Sequence, residues 1–405
     1  MKKCQIKTLT AAVLLASATQ APLALADTFT EALTGGEASG VLRLRYEDVA
    51  QDNALKDASA LTLRSVFQYK TGMFNGFSAT AQFEDVRAVA GMNDYSVPPT
   101  GFNTGIYSVI ADPQSTEVNQ GFLQYASGSL GAKVGRQVIN YDNQRFIGAV
   151  GWRQDWQVFD AFTGSYSLTE ALDVSYNYIG QRKRLFADAA DVSSDDHLFH
   201  ASYDSALGKI GAYAYLLEED TISSKTYDTY GLRLAGSGKM GDLKANYLLE
   251  FATQEYEVPS TSAEADYFHL VGGMSFAGIA GKLGYEVLGS DSGSYGFSTP
   301  LATAHAFNGW ADIFLGTPNV GLEDFYIDLS GKVLGGSWKA VFHDYSADES
   351  SSVLDDLGSE VNLQFTKALS SNYTVGVKYA DYSAGDAALG KPDTQKFWVW
   401  FQASF

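Results

Sequence analysis

The chain has 405 residues and a formal net charge of −19 at pH 7, and this acidity excludes a nucleic-acid-binding protein, which needs a basic surface. Its single cysteine, Cys4, excludes a disulfide framework of the kind that small secreted domains use. No segment reaches the run of about 18 consecutive apolar residues that marks a transmembrane helix.

The N-terminus has the three parts of a secretory signal peptide. Lysines within residues 1–7 precede a short apolar stretch at 8–18. Small residues at Ala24 and Ala26 then fit a cleavage site, so we expect cleavage after Ala26. The alternative, an uncleaved anchor helix, would need about 20 apolar residues. Residues 27–39 are expected to form a short periplasmic extension.

From residue 40 to residue 405 the sequence alternates apolar with polar residues, which is the pattern of β-strands. In the first segment, Leu42 and Leu44 share one face, and Arg43 and Arg45 share the other. Eighteen such segments are predicted, at 40–49, 60–70, 76–87, 117–127, 130–138, 156–168, 172–183, 195–206, 209–220, 227–238, 241–255, 264–276, 278–290, 322–333, 337–346, 358–368, 372–383 and 395–405. We therefore predict one all-β domain, although the length alone suggests two or three domains.

Three features favour a transmembrane antiparallel β-barrel over a soluble β-sandwich, which also alternates. Short turns such as 127–130 alternate with long polar loops such as 139–155, the asymmetry of periplasmic turns and extracellular loops in outer-membrane barrels. Aromatic residues lie near strand ends, as in interfacial girdles. The last residue, Phe405, ends a strand, and a terminal aromatic resembles the signal by which such barrels are recognised for insertion.

The strand count depends on residues 307–319, FNGWADIFLGTPN. Trp310, Ile313 and Phe314 recur there at helical spacing, so a short loop helix is predicted within 308–318. Interpreting the segment as a strand would give nineteen strands, whereas single-chain bacterial barrels have an even number. Eighteen strands leave a lumen wide enough for water, so the barrel is predicted to be a pore unless loops plug it.

With the apolar faces toward lipid, the polar faces line the lumen with charges of both signs, and arginines concentrate on the first two strands. The candidate pore-lining residues on the strands are Arg43, Arg45, Arg64, Arg233 and Lys244. Much of the negative charge falls instead in the outer loops, where it forms a solvated rim or bridges divalent cations to lipopolysaccharide. Outer-membrane lipid and lipopolysaccharide are therefore the expected surroundings of the barrel.

One stretch, GRQVINYDNQRFIGAVGWRQDWQVFDAF at 135–162, is rich in Arg, Gln, Asp and aromatics. It leaves one predicted strand, crosses a loop and enters the next strand, so Arg136, Arg145, Arg153 and Asp160 are predicted at or inside the mouth. Arginine suits carboxylate or phosphate because its planar fork forms paired hydrogen bonds. The alternative is an Arg–Asp network that only pins a loop inside the barrel.

The same stretch resembles the GRQ…R-x-x-G…W…Q-x-F-D signature of the alginate export porin family. FNGWADIFLGTPNVGLEDFY, WKAVFHDYSAD and the closing DTQKFWVWFQASF resemble later parts of the same family. The resemblance implies an eighteen-stranded outer-membrane porin, whose namesake passes a polyanionic uronate polymer through an arginine-rich constriction. The residues that match the motif are Arg136, Arg145, Arg153 and Asp160, and Gln137 and Trp152 match it more loosely.

The chain departs from the namesake in its charge, because its wall is mixed in sign and its loops are acidic. An acidic mouth would repel a long polyanion unless the arginines are shielded. We therefore expect a channel for passive diffusion of small hydrophilic, anionic or saccharide-like solutes. Export of an anionic polysaccharide such as alginate, with periplasmic partner proteins, is the alternative. A structural or adhesive barrel closed by loops 88–116 and 291–321 is a third reading.

The sequence carries no motif for an enzyme, a metal site or a cofactor. His197 and His200 point to opposite faces of a strand, so they are not expected to share a metal ion. An energy-coupled receptor is excluded because its globular plug would need more residues than 27–39 before the first strand.

Overall fold

The alternating segments form eighteen antiparallel strands that close into one barrel, which confirms the predicted fold class. The computed structural model describes residues 27–220 and 224–405, so the predicted signal peptide lies outside the described residues. A short helix, Phe29–Thr34, precedes the barrel, and Thr28 caps it by accepting a hydrogen bond from the Glu31 N–H.

In chain order the barrel strands are β1 (Glu37–Gln51), β2 (Ala58–Lys70), β3 (Phe77–Asp94), β4 (Ser115–Ser127), β5 (Leu130–Gln137), β6 (Val158–Ser167), β7 (Leu172–Lys183), β8 (Val192–Ser205), β9 (Gly208–Glu219), β10 (Lys225–Met240), β11 (Leu243–Val258), β12 (Thr261–Phe276), β13 (Ile279–Leu288), β14 (Leu322–Val333), β15 (Gly336–Ser351), β16 (Leu354–Ala368), β17 (Tyr373–Ser383) and β18 (Thr394–Ser404). The described loops contain a small hairpin, in which Ser290–Asp291 pairs with Tyr295–Gly296. They also contain short 3-10 turns at Pro98–Thr100, Ala187–Ala190, Ala304–Ala306 and Ala387–Leu389. Within the described ranges, no helix has the length and apolarity needed to cross a membrane.

The barrel closes where β1 pairs with β18 as well as with β2. The Gly40 N–H donates to the Phe405 carbonyl at 2.8 Å, and the Phe405 N–H donates to the Gly40 carbonyl at 3.0 Å. The Phe405 ring also packs edge-on against Phe67 of β2, with 6.2 Å between ring centroids. The terminal aromatic therefore joins the two ends of the barrel.

Successive side chains point alternately to lipid and to the lumen, as strand geometry dictates. On β2, Phe67 is 54% exposed on the outer face, whereas Arg64 is 3% exposed on the inner face. On β11, Phe251 is outward and Glu250 is buried and inward. The inner face is thus polar because alternate residues along these strands are polar, as the alternating sequence pattern predicts.

The segment 308–318 is not the helix that the apolar spacing predicts, because it consists of turns. Its backbone has positive φ at Asn308 (47°), Gly309 (88°) and Asp312 (62°), which a right-handed helix does not tolerate. The segment is still a loop rather than a strand, so the count of eighteen strands holds.

A hydrophobic core sits inside the barrel rather than between layers. Phe146 and Ile147 from one loop and Leu301, Trp310 and Phe314 from another are all buried there. They pack against inward-facing aromatic side chains of the wall, among them Tyr213, Tyr267 and Tyr345. Two loops therefore fill part of the lumen and determine where a solute could pass.

Candidate constriction inside the barrel

Two loops meet in the lumen: residues 138–157, which we call the first inner loop, and residues 289–321, the second inner loop. They join through backbone pairing between Ile147 and Leu301, and the Gly148 N–H donates to the Leu301 carbonyl at 2.9 Å. The Gln157 side chain donates to the same carbonyl at 3.1 Å. The two loops thus form one unit.

Arg43 and Arg45 of β1 hold the first inner loop by its backbone carbonyls. Arg43 donates to the Arg153 carbonyl at 2.5 Å and to the Gln154 side chain at 2.8 Å. Arg45 donates to the Trp152 carbonyl at 2.6 Å and pairs with Asp112. Both arginines face inward, but the first inner loop covers them, and Arg45 is only 1% exposed.

Arg64 of β2 is engaged in the same way. It donates to Glu84 of β3 at 2.7 Å, and its guanidinium lies 4.3 Å from the ring centre of Trp156 in the first inner loop. Such a cation–π contact is attractive, and more so when it is desolvated. Arg64 therefore positions the loop instead of presenting free donors to a solute.

Arg153 links the wall to both inner loops. It donates twice to Glu47 of β1 at 3.0 Å and once to Asp312 of the second inner loop at 2.6 Å. Lys396 of β18 adds a contact to Asp312 at 2.8 Å. Burial alone would raise the pKa of Asp312, but hydrogen-bonded His305 and the charges of Lys396 and Arg153 hold that pKa well below its usual range.

His305 joins this network to a lysine inside a cage of tryptophans. Burial lowers the pKa of His305 to about 3, so the ring is neutral at pH 7. Its Nδ1 lies 2.6 Å from Asp312 and its Nε2 lies 2.7 Å from Lys378 of β17. A neutral ring satisfies both contacts by donating from Nδ1 and accepting at Nε2. The Lys378 ammonium lies 4.1 Å from the ring centre of Trp152 and 3.9 Å from that of Trp310.

Arg145 fixes the other side of the two loops. It donates to Glu286 of β13 at 2.7 Å and to Asn308 at 2.9 Å. Asn308 in turn donates to Asp324 of β14 at 3.0 Å, and His343 of β15 lies 2.9 Å from the same carboxylate. Arg145 and Arg153 thus each contact the second inner loop, Arg145 through Asn308 and Arg153 through Asp312, and each pairs with a carboxylate of the wall.

Arg233 lies across the lumen and is held less firmly. Its guanidinium is 3.5 Å from Asp142 of the first inner loop and 3.5 Å from Glu250 of β11. Asp142 also accepts from His200 of β8 at 3.0 Å. Although burial opposes it, this hydrogen bond and the Arg233 charge lower the pKa of Asp142. Arg233 therefore lies on the lumenal side of β10, next to the first inner loop.

Arg136 and Asp160 form an ion pair at 2.8 Å, but the pair lies on the outer face of the barrel. Arg136 shares its face of β5 with Val134, which is 53% exposed, and Asp160 shares its face of β6 with Phe162, which is 44% exposed. Between Asp160 and Phe162 on β6 lies Ala161, whose side chain points inward and packs in the lumenal core. The prediction that this pair lines the pore is therefore wrong, because strand alternation points both side chains toward the membrane side.

Lysines, not arginines, carry the accessible positive charge near the short turns. Lys282 of β13 and Lys339 of β15 share one carboxylate, Asp328, at 3.8 and 3.2 Å, and both lysine side chains are 36% exposed. Lys244 lies in the same inward row of β11 as Glu250 and is exposed. The alternation of faces along each strand identifies these lysines as inward-facing. It gives no signal for Trp310, His305 or Asp312, which lie in a loop.

Residues 40–290 of the chain match the alginate export family, which is more than half of its length. The chain belongs to this family. No curated protein sequence matches the chain. Of the solved structures with a similar fold, OccAB1 of Acinetobacter baumannii has a TM-score of 0.70 and 11% identity over 92% of this chain and 97% of its own.

Two structures of OpdK from Pseudomonas aeruginosa are also similar to this member of the alginate export family. The structure with vanillate has a TM-score of 0.71 and 12% identity, over 92% of this chain and 99% of that one. The structure described as that of an outer membrane protein has a TM-score of 0.68 and 12% identity, over 91% of this chain and 99% of that one. At such identities the likeness shows a shared barrel fold.

Within this alginate export family member, the motif residues divide into two groups. Arg145 and Arg153 are buried residues of the first inner loop, each paired with a carboxylate of the wall. Arg136 and Asp160 pair on the outer face. Within residues 27–220 and 224–405, no group of three or more His, Cys, Asp or Glu side chains is arranged to hold a metal ion.

Proposed function

We propose that the protein is an outer-membrane channel through which small hydrophilic solutes diffuse passively. The observation that carries the proposal is a closed eighteen-stranded barrel, apolar outside and polar inside, whose lumen is narrowed by two packed inner loops. Closed barrels satisfy every backbone group in lipid, and a polar interior admits water and solutes. Outer-membrane lipid and lipopolysaccharide would surround the outer face.

The distribution of charge supports a preference for small anions. The arginines beneath the loops are paired with carboxylates, so they add little net charge to the passage. Lys282 and Lys339 share a single carboxylate, which leaves net positive charge facing the lumen. Rings of charged side chains set selectivity in pores. The fold neighbour OpdK was crystallised with vanillate, a small carboxylate of the kind that such lysines attract.

The export of an anionic polysaccharide is the second candidate, and the family match favours it. Two features of the lumen support passage of small solutes instead. The inner loops are joined to each other and packed against the wall by a hydrophobic core. The arginines that would contact a polyanion, Arg145 and Arg153, are buried and already paired with carboxylates.

The test is single-channel recording in a planar bilayer across a salt gradient. We expect an open, anion-selective current, and Lys282→Glu combined with Lys339→Glu should shift the reversal potential toward cation selectivity. The control is Lys391→Glu, an exposed lysine in an extracellular loop, which should leave the reversal potential unchanged.

Each outcome decides between the candidates. A cation-selective wild-type current, or no effect of the double variant, would contradict the role of the lysine pair. The absence of any current would contradict a channel. Block of the current by a uronate oligomer in the same recording, at concentrations at which glucose has no effect, would favour the polysaccharide candidate.

A further inference from the structure

Three buried carboxyl groups lie where the first inner loop packs on the barrel wall. Glu84 of β3 and Glu117 of β4 are direct cross-strand neighbours, so their side chains project from adjacent positions. Asp155 of the first inner loop is 1% exposed, and it precedes Trp156, whose ring packs on Arg64, the partner of Glu84. We call Asp155, Glu84 and Glu117 the carboxyl cluster.

The carboxyl cluster has too few hydrogen-bond donors for three ionised groups. Asp155 accepts from the Ala187 N–H at 3.3 Å, and Arg64 engages one oxygen of Glu84. The second oxygen of Glu84 and an oxygen of Glu117 are buried and have no partner within the described residues. A buried carboxylate oxygen without a donor is costly, and a proton shared between carboxyls removes that cost.

The surrounding charges do not neutralise the carboxyl cluster. The charged groups that act on it are Arg43 on β1, Arg64 on β2, Arg136 on β5, Asp112 in the loop before β4, and Asp188 and Asp191 in the loop after β7. Burial, and then the charges of Glu117 and Glu84, raise the pKa of Asp155 well above its usual range. The loop in its closed position therefore retains a proton that a solvated Asp would release.

We propose that the carboxyl cluster is a pH-sensitive latch on the first inner loop. When it holds protons, Asp155 stays against Glu84 and Glu117 and the loop is closed. When it ionises, the three negative charges repel, and the loop moves away from β3 and β4, so the passage widens. This inference rests on the proposed channel function only for its electrical readout.

The sign of the pH dependence follows from the raised pKa of Asp155. The closed loop binds more protons than the open loop at pH values between the ordinary carboxyl pKa, about 4, and the higher pKa of the closed state. Closure is therefore fully favoured at low pH and weakens as pH rises through this window. Each released proton changes the ratio of open to closed channels by up to about tenfold per pH unit.

The first experiment is single-channel recording at a series of pH values from about 5 to about 9, chosen to span this window. The wild-type open probability should rise with pH. Asp155→Asn and Glu117→Gln each remove one ionisable group while keeping its shape, so the rise should be lost. The control, Glu264→Gln, alters an exposed carboxylate on β12 and should retain the wild-type slope.

A second readout needs no current and so separates the latch from the channel function. Ala149 of the first inner loop is 0% exposed, and the chain has no cysteine after Cys4. Ala149→Cys should be labelled by a maleimide faster in the wild-type background than in the Asp155→Asn background at high pH, and equally in both at low pH. Comparing backgrounds at the same pH cancels the titration of the thiol itself.

An unchanged pH slope in both Asp155→Asn and Glu117→Gln, or equal labelling in the two backgrounds at high pH, would overturn the latch. A wild-type open probability that falls as pH rises would also overturn it. Labelling that behaves as expected in a protein without current would retain the latch and remove the channel.

Discussion

At the scale of single residues, the arginines that contact the inner loops are paired with protein groups. Arg153 illustrates this, because its guanidinium pairs with Glu47 on the wall and with Asp312 on the second inner loop, and its side chain is 5% exposed. A buried ion pair contributes little net stability, yet removing one partner leaves the other charge uncompensated.

Arg153→Gln should therefore lower the free energy of unfolding by up to about 3–5 kcal/mol, because Glu47 and Asp312, both buried, each lose one positively charged partner. Thermal unfolding in detergent, followed by the β-sheet circular dichroism signal, measures the loss. The control is Arg87→Gln. The ion pair of Arg87 with Asp85 is half-exposed, so its loss should change the free energy of unfolding by at most about 1 kcal/mol. Equal midpoints for the two variants would show that the Arg153 network does not stabilise the closed loops.

The Arg136–Asp160 pair gives a second test at this scale. Both side chains lie on the outer face, so Arg136→Glu should leave the reversal potential in a salt gradient unchanged. The lumen-facing variant Lys282→Glu serves as the positive comparison. A shift of equal size in both would mean that Arg136 faces the passage.

At the scale of elements, the two inner loops depend on close backbone approach to the wall. Gly309 of the second inner loop has a φ of 88°, and a Cβ there would overlap the Glu360 carboxylate and the Tyr345 hydroxyl. The backbone N–H groups of Trp310 and Ala311 donate to Asn362 and Glu360 of β16, at 3.2 and 2.8 Å. Gly309 therefore allows the loop to dock.

Gly309→Ala should displace the second inner loop, increase the single-channel conductance and expose the loop to protease, because the clash and the positive φ both oppose docking. Gly316→Ala is the matched control, since a Cβ at that position of the same loop meets nothing within 4 Å. Wild-type conductance and protease resistance in Gly309→Ala would contradict this account.

The strands were predictable from the sequence, and the inner loops were not. Each strand carries its own signal, since residues such as Arg43 and Leu44 must alternate to face water and lipid. The apolar spacing of Trp310, Ile313 and Phe314 looked helical because buried loops also need apolar residues. Which loop enters the lumen depends on partners far along the chain, such as Arg153 with Glu47, and local pattern does not report such pairs.

The candidate site was predictable only where strand alternation determines the face of a residue. The two-residue alternation along a strand indicated that Arg43, Arg45 and Lys244 face inward, because the strand period fixes the face of each residue. It did not reveal that the first inner loop covers the two arginines. The motif placed Arg136 in the mouth, and only the register of β5 against β6 shows that it points outward.

At the scale of the whole molecule, the barrel separates charge along its axis. Lysines such as Lys282 and Lys339 lie near the short turns, and acids dominate the long loops at the other end. If the proposed channel is open, such a separation would create a field along the passage that slows the entry of anions from the long-loop end and favours their residence near the lysines. The two inner loops lie between these regions.

The seam between β1 and β18 has a consequence for how the protein is made. The first barrel strand in chain order is completed only when the eighteenth pairs with it, from Val41 with Ser404 to Gln51 with Thr394. Until then both edges carry unpaired backbone groups, which hydrocarbon does not tolerate and which invite aggregation in water. A partial barrel without this seam is therefore disfavoured in the bilayer, so insertion should be coupled to the pairing of β1 with β18.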